Sequence, residues 1–148
     1  MPNNKSAFPI DVISAGVFLI ILASAYVIYS PYIDVNEVIT YFRNIPVHMG
    51  EIRPPQPIMD TAVFFFNSMG AWTLAVAGLR IVFQRSVPKA LGDITGAFFA
   101  FFTSYLITNY AFHVFIWQTA VAYFIIGIGA IIIVNALVYF VFSEKQSY

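Results

Sequence analysis

The stretch ITGAFFAFFTSYLITNYAFHVFIWQTAVAYFIIGIGAIIIVNALVYFVFS, residues 94–143, holds no Asp, Glu, Lys or Arg, and Asp93 and Glu144 bound it. A hydrocarbon core takes about 20 apolar residues per helical crossing, so this run is too long for one crossing and suits two. Left unbroken, it would make a rod of about 75 Å at 1.5 Å per residue, against a core of ~30 Å. A turn must interrupt it. Neither Gly nor Pro lies near the middle, and the best break is Thr108-Asn109-Tyr110-Ala111-Phe112-His113. Asn109 suits the left-handed conformation that ends helices. This reading places a third span over 88–109 and a fourth over 115–142.

Toward the N-terminus, the connection 84–89 is short, so the second and third spans are antiparallel neighbours. Ser86 is positioned to cap the third helix, with Pro88 in its first turn. The second span covers 60–83, with Asp60 as its N-cap. Arg80 in its last turn is expected to extend its charge to the headgroups. Residues 31–59 are the only sizeable polar connection. Within it, Asp34-Val35-Asn36-Glu37 reads as a capping-box variant. Val35, Val38, Ile39 and Phe42 follow at i, i+3, i+4 and i+7, the stripe of an amphipathic helix over 35–45, closed by Pro46. So short a helix is marginal alone in water, which favours a place in the membrane interface or against the other helices. Arg53-Pro54-Pro55-Gln56-Pro57 is expected to be extended polyproline-like chain leading back to the membrane.

The first span covers 9–30, with Pro9 in the opening turn and Pro31 ending it. A cleaved secretory signal competes for this segment, with Lys5 as the basic region and Ala23-Ser24-Ala25 as the cleavage site. Retention is favoured, because the apolar run continues through Tyr26, Val27 and Ile28 and Asp11 interrupts its start. The expected architecture is therefore an all-α integral membrane protein, one domain over 1–148. It is a four-transmembrane-helix bundle with a short amphipathic interfacial helix in the first extracytoplasmic loop.

Composition agrees. Of 148 residues, 60% are hydrophobic and 9% charged, against about 25% charged in a soluble domain. Seven basic residues balance seven acidic ones, and no basic tract exists to neutralise a series of phosphates, which argues against nucleic acid as a partner. Cysteine is absent, so disulfides and thiolate chemistry are excluded.

Basic residues set the orientation. With four spans, Lys5, Arg80, Arg85, Lys89 and Lys145 fall on the side of both termini, and only Arg43 and Arg53 on the other. Five against two places both termini in the cytoplasm of a multi-pass cell-membrane protein. Tyr29, Tyr32, Tyr110 and Trp117 then gather at the outer interface as an aromatic belt. Asp11 and Asp93 fall near the inner face, where Lys89 and Asp93 can pair at i, i+4.

Gly92, Gly96, Ala100, Ser104 and Thr108 recur every four residues along the third span, and Ala120, Gly127 and Ala130 make a weaker series in the fourth. Small residues let helix backbones approach closely in lipid, so both series are candidate helix–helix interfaces, within the chain or with another subunit. Gly127-Ile128-Gly129 lacks the strand-turn-helix context and third glycine of a nucleotide loop. The clusters Phe64-Phe65-Phe66, Phe98-Phe99 and Phe101-Phe102 read as lipid-facing or packing bulk. Intramembrane polar groups are mild, chiefly Asn67, Gln118 and Asn135 with Ser68, Thr73 and Thr103. Amides in lipid more often join helices than bind substrate, and Asn67 and Asn135 are expected at similar depth, suited to a mutual hydrogen bond.

His48 and His113 both fall on the outer side, without the spacing of a metal site, and neither is deep enough for a bis-histidine haem. No nucleophile has a base near it in sequence. The expectation is a protein without catalytic activity, metal or cofactor. Its partners are the lipid bilayer and other membrane subunits or copies of itself, and it stabilises a larger membrane complex. A small homo-oligomeric transporter or channel lined by Asn67, Gln118 and Asn135 is the alternative.

Overall fold

The computed structural model describes residues 9–44, 53–112 and 115–144, and among these every regular element is helical. Helix α1 is Ile10–Tyr29, followed by the 3-10 turn Ser30–Tyr32; α2 is Val35–Asn44; α3 is Gln56–Leu79, running on into a widened turn Arg80–Gln84; α4 is Val87–Ala111; α5 is Trp117–Glu144. Four of them, α1, α3, α4 and α5, are long and apolar enough to cross a membrane. The chain is a multi-pass membrane protein.

Local chemistry explains the ends, and moves two of them from where spacing puts them. Helix α3 begins at Gln56, a turn before Asp60. Pro57 sits in the opening turn, where a proline ring is preorganised and the missing N–H is no loss. Pro55 is extended, with φ −51° and ψ 137°, and its carbonyl accepts from Ile58 and Met59. Asp60 is therefore not the N-cap; its carboxylate instead accepts the Gln56 amide at 2.8 Å. Of the expected extended segment, only 53–55 is non-helical. At the other boundary, Asn109 is helical and donates its amide to the Tyr105 carbonyl at 2.7 Å. The helix runs on to Ala111. Ser86 precedes α4 as its capping residue, but its side chain makes no cap hydrogen bond. Before α2 the Asp34 carboxylate accepts from the Asn36 N–H at 2.8 Å, an N-cap bond to the second helical residue and not the bond to the Glu37 N–H that a capping box would make.

The membrane-length helices pack in a row: α1 on α3, α3 on α4, α4 on α5. A closed bundle would also set α1 against α5, which are not packed as neighbours. Lipid accounts for the open form, because hydrocarbon covers apolar side chains as well as another helix does. The most extensive contact is between α3 and α4, where Met59, Val76, Ala77, Ala90, Ala97, Ala100, Ser104 and Leu106 are buried. Along α4, Ala90, Ala97 and Ser104 lie seven apart, with Asp93 and Ala100 between them. This is the seam of the 3.5-residue repeat, which keeps one face toward a neighbouring helix. Glycine matters at Gly70, where a Cβ would meet Phe101 Cε1 at 2.9 Å, and at Gly127, where it would meet Phe102 Cε1 at 2.5 Å. Each is a socket for a ring from α4. Edge-on rings join the outer pair as well, Phe18 of α1 meeting Phe65 of α3 at 5.9 Å.

Candidate functional site

Three charged side chains from three helices meet at one end of the row. Asp11 is the second residue of α1, Arg80 follows the last residue of α3, and Asp93 is six residues into α4, about 9 Å along its axis. Arg80 Nη2 donates to Asp11 Oδ1 at 2.8 Å. Arg80 Nε lies 2.7 Å from Asp93 Oδ2, but the two are not aligned for a hydrogen bond. The Arg80 side chain is 15% exposed, that of Asp93 19% and that of Asp11 81%. The cluster is thus closed by α3 and α4 and open beside α1.

The helix seams explain why Arg80 and Asp93 turn inward and why Asp11 lies within reach of them. Asp93 is on the same seven-residue seam as Ala100, as Arg80 is with Thr73 and Met59, and Asp11 with Phe18 and Ala25. A residue on the packed face has a neighbouring helix, not the headgroup layer, in front of it. Arg80 therefore bridges two carboxylates instead of reaching outward. Asp93 pairs with it and not with Lys89, which is exposed. Placing a charge pair in a low-dielectric setting carries a desolvation cost that attraction repays only with good geometry. Two carboxylates to one guanidinium leave an excess negative charge among the described residues.

A cavity of about 210 Å³ adjoins the cluster. Ser14, Trp72 and Thr73 line it together with the three charged residues, and Met69 and Val76 supply its apolar wall. The Thr73 hydroxyl is satisfied by the Met69 carbonyl at 2.7 Å. The Ser14 Oγ and Trp72 Nε1 are shielded from solvent and have no hydrogen-bond partner. Such atoms are costly to bury. The charged groups thus border one small space, while the Ser14 Oγ and Trp72 Nε1 have no accessible surface.

The small-residue series in α4 distributes around the helix. A four-residue repeat advances by about 40° per step, so Gly92 and Thr108 are about 160° apart. Ala100 and Ser104, in the middle of the series, are buried. Gly96 approaches Thr73 Cγ2 of α3 at 3.7 Å, nothing lies within 4 Å of a Cβ on Gly92, and Thr108 is half-buried. In α5, Ala120 and Gly127 are half-buried against α4, and Ala130 borders an apolar cleft of about 360 Å³ between these helices.

The amides Asn67, Gln118 and Asn135 are all exposed, and no hydrogen bond joins any of them to another described residue. Asn67 and Asn135 belong to α3 and α5, which are not packed as neighbours. They also differ in depth. Arg53 links the start of α3 to Phe115, just before α5, so the two helices start at a similar level. Asn67 is 11 residues into α3 and Asn135 18 into α5, a difference of about 10 Å. The hydroxyls of Thr61, Thr73, Thr95, Thr103 and Thr108 bond the carbonyl four residues back. Threonine here is satisfied by its own helix, and the amides are not.

A second cation has a structural task that spacing does not announce. The Arg53 guanidinium donates to the carbonyls of Tyr110 and Ala111 and, at 3.4 Å, of Phe115. It also lies 4.8 Å from the Tyr110 ring centre. The Tyr110 and Ala111 carbonyls are left over at the end of α4, where a cation is favoured by the helix dipole. Burial pushes the Tyr41 phenol of α2 above its ordinary pKa, and the Tyr110 phenol nearby adds to the shift. Among the described residues no three His, Asp or Glu gather as a metal site. His48 and His113 lie outside the described residues, as does Pro46. No family model, curated protein or solved structure matches this chain.

Proposed function

We propose that this chain is a non-catalytic membrane subunit that packs against other membrane-embedded chains, or copies of itself, and stabilises the assembly they form. The observation that carries this reading is Asn135: an exposed amide on an apolar helix whose membrane-spanning stretch buries no residue, with no hydrogen-bond partner among the described residues. An unpaired amide in hydrocarbon costs several kcal/mol in the least compensated case, and a hydrogen bond to a neighbouring helix removes that cost. Asn67 on α3 presents the same situation. In this reading the row of helices closes into a bundle only within the assembly. Both termini are cytoplasmic, as the distribution of basic residues favours. Helix α2 rests in the outer interface, with Val35, Ile39 and Phe42, each more than half exposed, turned to lipid.

The test is purification from native membranes in a mild detergent, followed by mass spectrometry of what remains bound. The reading expects stoichiometric co-purifying chains or a discrete oligomer, reduced by Asn135→Leu while the helical circular dichroism is retained. A homogeneous monomer would overturn it. One observation favours a homo-oligomeric transporter or channel as second reading: Asn67, Gln118 and Asn135 all face outward, so only an oligomer could gather them along a path. Flux through reconstituted liposomes that disappears with Asn67→Leu or Asn135→Leu would select it.

A further inference from the structure

We propose that α5 pairs in parallel with α5 of a second copy of this chain around a two-fold axis along the membrane normal, with Gln118 and Asn135 each hydrogen-bonded to its own counterpart at the two ends of the contact. The inference rests on the subunit reading above and names the partner for it. Along α5, Gln118, Val121, Ile125, Ile128, Ile132 and Asn135 follow at alternating intervals of three and four. This is the 3.5-residue repeat that keeps one face toward a neighbouring helix. The same repeat, through Ala90, Asp93, Ala97, Ala100 and Ser104, packs α4 against α3. In α4 it is covered. In α5 every one of its residues from Gln118 to Asn135 is exposed, and the helix meets α4 with the adjoining face, where Phe124 lies against Phe99 and Gly127 against Phe102.

The two amides identify what covers the seam. They are 17 residues apart, about 25 Å along the axis. Neither has a hydrogen-bond partner among the described residues. Glu144, the next charged residue after Asn135, is about 14 Å further on, so Asn135 lies inside the apolar run. Lipid tails cover valine and isoleucine but offer an amide nothing. An unrelated helix would need a polar side chain at both depths. A second copy supplies both by symmetry: an amide carries donor and acceptor and is its own complement, and rotation about the membrane normal holds identical residues at equal depth. An asparagine within such a seam also fixes its register. Between the amides, Val121, Ile125, Ile128 and Ile132 are β-branched, with one strongly preferred rotamer in a helix, so little side-chain freedom is lost when they interlock.

The chain has no cysteine, so single introduced cysteines report contacts without background. The experiment is oxidation of single-cysteine variants of the full chain in membranes with copper phenanthroline, read as covalent dimer. Val121→Cys, Ile125→Cys, Ile128→Cys and Ile132→Cys are expected to crosslink severalfold more than Ile126→Cys and Ile133→Cys, which are exposed but off the seam. Adding Asn135→Leu to Ile128→Cys should lower dimer formation about threefold, the average worth of an interhelical hydrogen bond in lipid, and Asn135→Gln should retain it, with helical content checked for both. Dimers through Ala122→Cys and Gly129→Cys in place of Val121→Cys and Ile128→Cys turn the amides out of the contact and overturn the proposal. So do crosslinks to a different chain alone, or a seam dimer that Asn135→Leu leaves unchanged. A discrete assembly without seam crosslinks defeats this pairing and keeps the subunit reading; a monomer defeats both.

Discussion

Removing the Arg53 side chain should loosen the junction of α4 and α5 by about 2–3 kcal/mol. A hydrogen bond from a charged donor contributes about 1.5–3 kcal/mol, and Arg53 makes one close contact of this kind, to the Tyr110 carbonyl. Its bonds to Ala111 and Phe115 are both 3.4 Å, beyond the usual range of about 2.7–3.2 Å, and add little. Stacking over Tyr110 adds about 0.5–1 kcal/mol. Bond and stack together come to about 2–4 kcal/mol, and water reaching this half-buried site recovers part of the loss, which brings the total to about 2–3 kcal/mol. Arg53→Lys retains the charge at the helix end and gives up the planar fork, so about half the loss is expected. Reversible unfolding in mixed micelles can be followed by tryptophan fluorescence, with Trp117 reporting two residues beyond Phe115. If Arg53→Ala shifts stability by less than about 0.5 kcal/mol, the ordinary size of a surface substitution, the capping role is refuted.

Other expectations follow from the same geometry. Gly70→Ala forces the Phe101 ring back from a 2.9 Å approach and should cost about 1–3 kcal/mol through overpacking, whereas Gly92→Ala, with open space around it, should be neutral or stabilising by up to about 1 kcal/mol through helix propensity. The same unfolding assay checks both, and an equal loss from each would contradict the packing. Arg85, in the left-handed region at φ 51°, carries a backbone cost of about 1–2 kcal/mol, so Arg85→Gly should stabilise the turn between α3 and α4 by up to that amount. A raised Tyr41 pKa means the folded protein binds this proton more tightly than the unfolded chain. The stability it contributes is present below about pH 10 and is lost as pH rises through the folded value; Tyr41→Phe should flatten that alkaline decline in a pH series of unfolding midpoints.

Four membrane-length helices were legible in the chain alone, because the requirement for apolar length is local and additive. A span is recognised by summing side chains along it, whatever surrounds it. The short connection after Gln84 and the tight break after Ala111 were accessible for the same reason, since neither admits anything but antiparallel neighbours. Helix ends depended on finer competition: Pro57 could enter the first turn of α3 and so displaced Asp60, and Asn109 found the Tyr105 carbonyl within its own helix.

Which faces meet was less accessible. Gly92 through Thr108 stands out in a written sequence, yet a spacing of four winds around the axis, while the seam that packs runs through Ala90, Asp93, Ala97, Ala100 and Ser104. That spacing was there to be read, and it puts Asp93 among buried alanines. Sequence therefore determined the elements and their number, through chemistry that each segment carries within itself. The meeting of Asp11, Arg80 and Asp93, the reach of Arg53 to the end of α4, and the exposure of Asn67 and Asn135 were decided by the tertiary structure. Each depends on the rotation and height of one helix against another, and in lipid those are set by side-chain packing between segments far apart in the chain.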